Sequence, residues 1–171
     1  EIAKKRGAIP YAEISGYGSS CEAFHAVRLS ENAEANCRAI EESVLDASID
    51  PTSIDYVNLH GTSTPLNDRI ETLIMKTFFK DRVKKIPMSS TKSMIGHPQG
   101  ASGAAGLAAT LLSMRSDSLH PTINLEDPDP ECGLDLIPSE ARKQKIRYAL
   151  CNTLGFGSKC SALILRNGKT L

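Results

Sequence analysis

The sequence has no excess of charge, no cysteine pair at metal spacing and no long apolar run, and each absence removes a class of function. Lys plus Arg and Asp plus Glu both total 20. Beyond Lys80 to Lys85 there is no basic run, so the footprint that nucleic acid requires is missing. Five cysteines, Cys21, Cys37, Cys132, Cys151 and Cys160, are scattered with no Cys-x-x-Cys and no Cys/His cluster at zinc spacing. They read as reduced thiols of an intracellular protein, with no metal site. The stretch from Pro98 to Met114 carries no charge, yet it is too rich in Gly, Ala and Ser for a membrane span and is closely bracketed by Lys92 and Arg115. No apolar signal segment follows Glu1-Ile2-Ala3-Lys4-Lys5-Arg6, and this start suggests a piece of a longer protein. No internal repeat or low-complexity segment is evident. Small molecules or proteins are left as partners.

What is present is an alternation of strand and helix patterns. Residues 8–17 alternate as a strand expected to end near Gly16 to Gly18. Ala33, Cys37, Ile40, Val44 and Ala47 recur at helical spacing, then Asp50-Pro51-Thr52-Ser53 turns the chain into a strand from Ile54 to Leu59. After Pro65, the residues Ile70, Leu73, Ile74 and Thr77 predict a second helix with Asp68 in its first turn. A short strand over Ile86 to Ser90 leads to a loop from Lys92 to His97 and a small-residue helix from about Pro98 to Ser113. Glycines in that helix cost roughly 1 kcal/mol each relative to Ala, which predicts close packing on more than one side. Leu119 to Leu125 reads as extended and Glu126 to Glu131 as an acidic loop. Two apolar strands, Ile146 to Asn152 and Ser161 to Arg166, flank a turn at Gly155-Phe156-Gly157-Ser158. The pattern predicts an α/β layered domain.

Two histidines stand in the same setting. His60 closes an apolar strand and precedes Gly61-Thr62-Ser63-Thr64-Pro65; His97 follows Gly96 ahead of a helix start. Ligand sites of α/β sheets lie at the carboxyl ends of strands, so the two imidazoles either meet at one site or serve as separate hydrogen-bonded structural groups. Glu71 and Lys92 are either solvated side chains or a buried pair tuning the site. Thr62 and Thr64 either satisfy turn amides or face a ligand. Cys21 and His25, four residues apart in a loop, read as an incidental pair, because catalytic partners usually meet through the fold.

Taken together, His60-Gly61-Thr62-Ser63-Thr64-Pro65 with Asn67, Asp68 and Glu71, then Ser90-Thr91-Lys92-Ser93-Met94 and Gly96-His97, then His120-Pro121-Thr122-Ile123-Asn124, and finally Asn152 with Gly155-Phe156-Gly157, closely resemble the C-terminal half of an elongating β-ketoacyl-acyl-carrier-protein synthase. The resemblance covers nearly the whole chain in order. It implies an α/β fold, the C-terminal half of a thiolase-like αβαβα layered unit with a mixed sheet and helices on both faces. Residues 1–30 would be the last strand and loop of the preceding half, and residues 31–171 the C-terminal half-domain. The glycine-rich helix would lie between the two sheets.

The resemblance further implies decarboxylative condensation of an acyl thioester with malonyl-acyl-carrier protein in fatty-acid or polyketide synthesis. By that resemblance His60 and His97 are the catalytic histidines, Lys92 accompanies them and Glu71 supports them. Thr62 and Thr64 would bind the phosphopantetheine arm, and Phe156, between Gly155 and Gly157, would gate the acyl pocket. No resident cofactor is implied, since substrates ride on the phosphopantetheine of acyl carrier protein. The expected partners are that carrier, the absent N-terminal half and a second copy in a cytoplasmic homodimer. Three departures stand out. No cysteine lies in the family's nucleophile motif, so the chain alone should form no acyl-enzyme. The family's Gly-Phe-Gly-Gly-Thr-Asn reads Gly155-Phe156-Gly157-Ser158-Lys159-Cys160 here, and Leu154 replaces an aromatic residue. The altered turn leaves room for a second reading, a non-catalytic partner resembling chain-length-factor subunits. A thiolase, which condenses without decarboxylation, is a more distant alternative.

Overall fold

The structure, a computed structural model, describes residues 2–170; Glu1 and Leu171, the outer limits of the expected spans 1–30 and 31–171, lie outside the described residues. A short helix α1 (Ile2–Lys5) leads into strand β1 (Ala12–Cys21), followed by helix α2 (Glu34–Asp46), strand β2 (Ile54–Asn58), helix α3 (Pro65–Phe79) and strand β3 (Met88–Ser89). Next come a single helical turn α4 (Lys92–Ile95), helix α5 (Ser102–Ser116) and two short strands, β4 (Ser118–Leu119) and β5 (Arg142–Lys143). A hairpin of β6 (Tyr148–Gly155) and β7 (Lys159–Asn167) closes the fold.

Five strands form one mixed sheet in the order β1-β7-β6-β2-β3. β2 runs parallel to β3 and β6, while β7 is antiparallel to both of its neighbours. Successive strand residues face opposite sides, and the sheet therefore builds two cores. Val57, Leu150 and Ile164 pack with Ile40 and Val44 of α2 and Ile70, Ile74, Met75 and Phe79 of α3. On the other face Tyr56, Ala149 and Leu165 pack with Met114 of α5 and with Leu119, Ile137 and Ile146. This is the α/β architecture with helices on both faces that the sequence implied.

Several expectations change. β1 does not stop at Gly16 to Gly18 but continues to Cys21. The glycines are there because α2 presses on the strand: a Cβ at Gly16 would stand 2.0 Å from the Ser43 carbonyl oxygen, and one at Gly18 2.0 Å from that of Ala39. Sequence reasoning took for a strand end what is a close backbone approach. β1, within the span 1–30 assigned by resemblance to the preceding half, pairs with β7 along its length and stands at the edge of the same sheet. The segment Lys92 to His97, expected as a loop, contains the helical turn α4, ended by Gly96 at φ 72°. Of the extended segment expected over Leu119 to Leu125, only the start is strand; Thr122 makes an isolated bridge to Pro138 and Asn124 turns the chain at φ 61°.

The small-residue helix is covered on one side only. α5 packs on the sheet through Thr110, Ser113 and Met114, and Gly106 meets Asn58, whose Oδ1 would stand 2.8 Å from an added Cβ. Gly100 and Gly103 have nothing within 4 Å of that position, and Leu112 is 65% exposed. The expected close packing on more than one side is thus absent among the described residues. No helix among them is long and apolar enough to cross a membrane.

The contact between α2 and β1 makes a direct prediction. Gly18→Ala forces a methyl group into the Ala39 carbonyl and should cost about 1–3 kcal/mol, the usual penalty for overpacking. The urea midpoint is expected to fall with an unchanged slope; a midpoint equal to that of the unmodified chain would contradict the packing.

Candidate active site

His60 lies just beyond the carboxyl end of β2 and is 6% exposed. The chain leaves the sheet there through Gly61 at φ 45°, a left-handed conformation that suits glycine, and Thr64 then caps α3, its Oγ1 accepting from the Asn67 amide at 3.2 Å. One carboxylate organises this corner. Glu71, on the second turn of α3 and 3% exposed, accepts from the His60 N–H at 2.7 Å and the Asn152 side-chain amide at 3.1 Å through Oε1. Through Oε2 it accepts from the Gly61 N–H at 2.8 Å and the Asn67 side-chain amide at 3.4 Å. Burial pushes its carboxyl above the ordinary range, while the four donors oppose that shift.

Lys92 reaches the opposite side of the same residue. Its Nζ donates to the His60 carbonyl at 2.5 Å and lies 3.4 Å from His60 Nδ1. Of the two alternatives left open by the sequence, Glu71 and Lys92 are not free solvated side chains, and they do not bond to each other directly; they hold His60 from its N–H and its C=O. Desolvation lowers the Lys92 pKa and the Glu71 charge raises it. An ammonium has no lone pair, so His60 Nδ1 accepts and the ring proton sits on Nε2. Burial, then Lys92 and His97, lower the His60 pKa to about 3, which keeps the ring neutral near pH 7.

His97 is reached from the other direction, through α4 and Gly96, and is exposed. Its Nδ1 accepts from the Gln99 amide at 3.0 Å and faces Ser102 Oγ at 2.9 Å. The backbone N–H can only donate, which places the His97 proton on Nε2 as well. The two rings stand edge to face with centroids 5.5 Å apart. Neither Nε2 has a hydrogen-bond partner among the described residues, so both N–H groups are available to an incoming acceptor. Desolvation and Lys92 lower the His97 pKa too.

The remaining predicted residues divide. Thr62 lies beside Thr64, their hydroxyls 3.4 Å apart. Thr62, Glu71 and Lys92 line a cavity of about 1140 Å³ that runs between α3 and the segment from Thr122 to Leu136. Thr64, His60, His97 and Phe156 do not line it. Phe156 sits at the tip of the β6–β7 hairpin between Gly155 and Gly157 and is 79% exposed. That turn is tied to the loop after β1: Gly157 N–H donates to Ala26 C=O at 2.7 Å, and buried Ser158 donates through Oγ to the His25 carbonyl at 3.1 Å.

The Cys21 and His25 pair is incidental, as the sequence suggested. His25 Nδ1 accepts from the Val27 and Arg28 amides, and Cys21 Sγ faces the Gly157 carbonyl. Burial raises Cys37, Cys151 and Cys160 to about 11, leaving them as thiols near pH 7. No group of three or more His, Cys, Asp or Glu among the described residues is placed to hold a metal. The roles of Asn67, Asn152 and Ser102 as partners of Glu71 and His97 were not read from the sequence; Asn67 and Asn152 stood there only as members of the motifs that carry the resemblance.

The chain can now be set beside known proteins. Residues 11–126 match the family described as Beta-ketoacyl synthase, C-terminal domain. Over 165 residues, covering 96% of this chain and 40% of the relative, it is 46% identical to a 3-oxoacyl-[acyl-carrier-protein] synthase 2 of Coxiella burnetii. Identity to the enzyme of that name from Staphylococcus aureus is 42%, over 97% of this chain and 41% of the relative. The chain thus spans about two fifths of the length of these relatives. Among solved structures it resembles the type II polyketide synthase ketosynthase AntDE bound to its acyl-carrier protein AntF, with a TM-score of 0.93 at 38% identity over 96% of this chain and 40% of that one. A β-ketoacyl synthase from Burkholderia phymatum superposes with a TM-score of 0.90 at 38% identity, over 97% of this chain and 40% of that one. The chain belongs to the β-ketoacyl synthase family and corresponds to its C-terminal domain.

Proposed function

We propose that the protein carrying this chain catalyses decarboxylative condensation of an acyl thioester with malonyl-acyl-carrier protein in fatty-acid or polyketide synthesis, and that this chain supplies the two imidazole donors. The observation that carries the reading is the pairing of His60 and His97, both with a free Nε2–H and centroids 5.5 Å apart, beside Lys92. Loss of carbon dioxide from the malonyl group leaves negative charge on the thioester oxygen. Two N–H donors fixed beforehand stabilise that charge without reorganising as it forms. Lys92 holds the tautomer of His60 and Glu71 holds the backbone on which the ring is mounted.

The other parts of the reading are proposals of the same kind. Thr62 and Thr64 flank the route by which a phosphopantetheine arm approaches, and Phe156, carried between Gly155 and Gly157, gates the acyl pocket. Substrates arrive on acyl carrier protein, so no further cofactor is called for. The absent N-terminal half supplies the nucleophilic cysteine, two copies form the working dimer, and the location is cytoplasmic. A non-catalytic partner of the chain-length-factor kind is the second reading, favoured by Ser158, Lys159 and Cys160 in the turn beside Phe156. Mass spectrometry of the full-length protein after incubation with acyl-carrier thioester separates the two: a covalent acyl adduct supports the enzyme, and its absence supports the partner.

Removing either donor in the full-length protein, by His60→Ala or His97→Ala, should lower malonyl decarboxylation by about 10²–10³-fold, the usual loss for one oxyanion donor. Full activity in both variants would sink the assignment.

The neutral state of His60 also has a stability consequence. Its folded pKa lies below that of an ordinary histidine, so as pH falls from 6.5 towards about 3 the unfolded chain gains a proton that the folded chain refuses. Stability is therefore lost on acidification through that window. Urea titrations at stepped pH should show a smaller acid loss for His60→Ala than for the unmodified protein; parallel curves would refute the lowered pKa.

A further inference from the structure

Behind His60 and Lys92 lies a polar cluster that the chemistry above does not use. Tyr56 and Ser89 are fully buried, Asn58 and Thr91 nearly so, and His120 is half-buried just after β4. His120 Nε2 lies 3.0 Å from Tyr56 Oη, 3.1 Å from Asn58 Nδ2 and 3.2 Å from Thr91 Oγ1. Its Nδ1 lies 3.2 Å from the Pro121 carbonyl oxygen and 3.2 Å from Ser89 Oγ. Asn58 Nδ2 also donates to Thr91 Oγ1 at 2.9 Å.

Two of these partners leave no choice of role. The Asn58 amide nitrogen can only donate, so Nε2 of His120 accepts; the Pro121 carbonyl can only accept, so Nδ1 donates. Both assign one tautomer, neutral with its proton on Nδ1. That is the opposite of His60 and His97, which carry theirs on Nε2. Protonating His120 would set an N–H against the Asn58 N–H, and burial lowers its pKa in the same sense. Asn58 has little freedom to turn away, because its Oδ1 lies against Gly106 of α5.

We propose that His120 is a positioning residue whose Nε2 lone pair ties Asn58 to Thr91 and thereby fixes the carboxyl ends of β2 and β3 that carry His60 and Lys92. Asn58 is two residues before His60 and Thr91 is one before Lys92. A small splay of the two strand ends therefore moves Lys92 Nζ away from His60 Nδ1 and frees the ring to change tautomer. The inference rests on the roles proposed for His60 and Lys92, but its geometry is independent of them.

The test uses the full-length protein. Nitrogen-15 spectra of its histidine rings should report protonation at Nδ1 for His120 and at Nε2 for His60; a proton on Nε2 of His120 overturns the proposal. His120→Leu removes the acceptor that Nε2 offers to both Asn58 and Thr91, leaving their mutual bond, and should lower kcat for malonyl decarboxylation about tenfold with KM nearly unchanged. His120→Gln, whose Oε1 can stand where Nε2 was, should recover most of that loss. Equal kcat in the unmodified and leucine proteins, or equal losses in the leucine and glutamine proteins, rejects the role. Should His120→Leu fail to fold, the glutamine variant and the tautomer decide. A protein that performs no decarboxylation at all would sink the functional reading instead, and the ring signals of His60, unchanged or shifted in the His120 variants, would still judge this one.

Discussion

The carboxylate of Glu71 is the contact on which the site depends. A buried anion is costly unless its lone pairs are filled, and here the filling comes from two consecutive backbone N–H groups and two asparagine amides. Those backbone groups belong to His60 and Gly61, just past Leu59, whose N–H still bonds to Ser89 of β3, at the point where the sheet has no partner for them. The carboxylate thus completes hydrogen bonding that β2 leaves open and, in doing so, fixes the direction in which the chain departs. Asn152 comes from β6 and Asn67 from α3, so the same anion joins strand, neighbouring strand and helix at one point.

Around that anchor the charges are arranged by reach. Lys92 stands beyond His60 and binds its carbonyl, which keeps cation and carboxylate from neutralising one another directly. The imidazole between them is pressed into the neutral state by burial and by the nearby ammonium. His97 reaches a matching state by other means: it is exposed, and a backbone amide alone dictates its tautomer. Two rings with the same available proton are thus set by different local structures, one rigid and internal, the other at the start of a helix.

Much of this was legible in the sequence because it lies in local patterns. The strand before His60, the helix carrying Glu71 and the hairpin around Phe156 all follow from periodicity and turn chemistry. What was not legible depends on contacts between distant segments. Gly16 and Gly18 looked like a strand end because nothing in the sequence announces that α2 will lie on them. Whether Glu71 and Lys92 were solvated or a buried pair stayed open for a related reason: spacing placed both near His60 but could not tell that they grip its backbone from opposite sides. His120 was readable only as part of a motif, since its side-chain partners lie 29 to 64 positions away. The enclosure expected for α5 came from composition, and among the described residues one side alone is covered, through Gly106, Thr110, Ser113 and Met114.

β2 also carries a parity rule. Val57 and Leu59 point into the aliphatic layer shared with α2 and α3, whereas Tyr56 and Asn58 point towards α5 and His120. A shift of the strand by one position would exchange the sets, putting an amide and a phenol among isoleucines and leaving valine and leucine to face lone pairs. The alternation that sorts apolar from polar therefore also selects one alignment of the strand, and the placement of His60 is decided by the residues before it, whose errors would be paid in both cores at once.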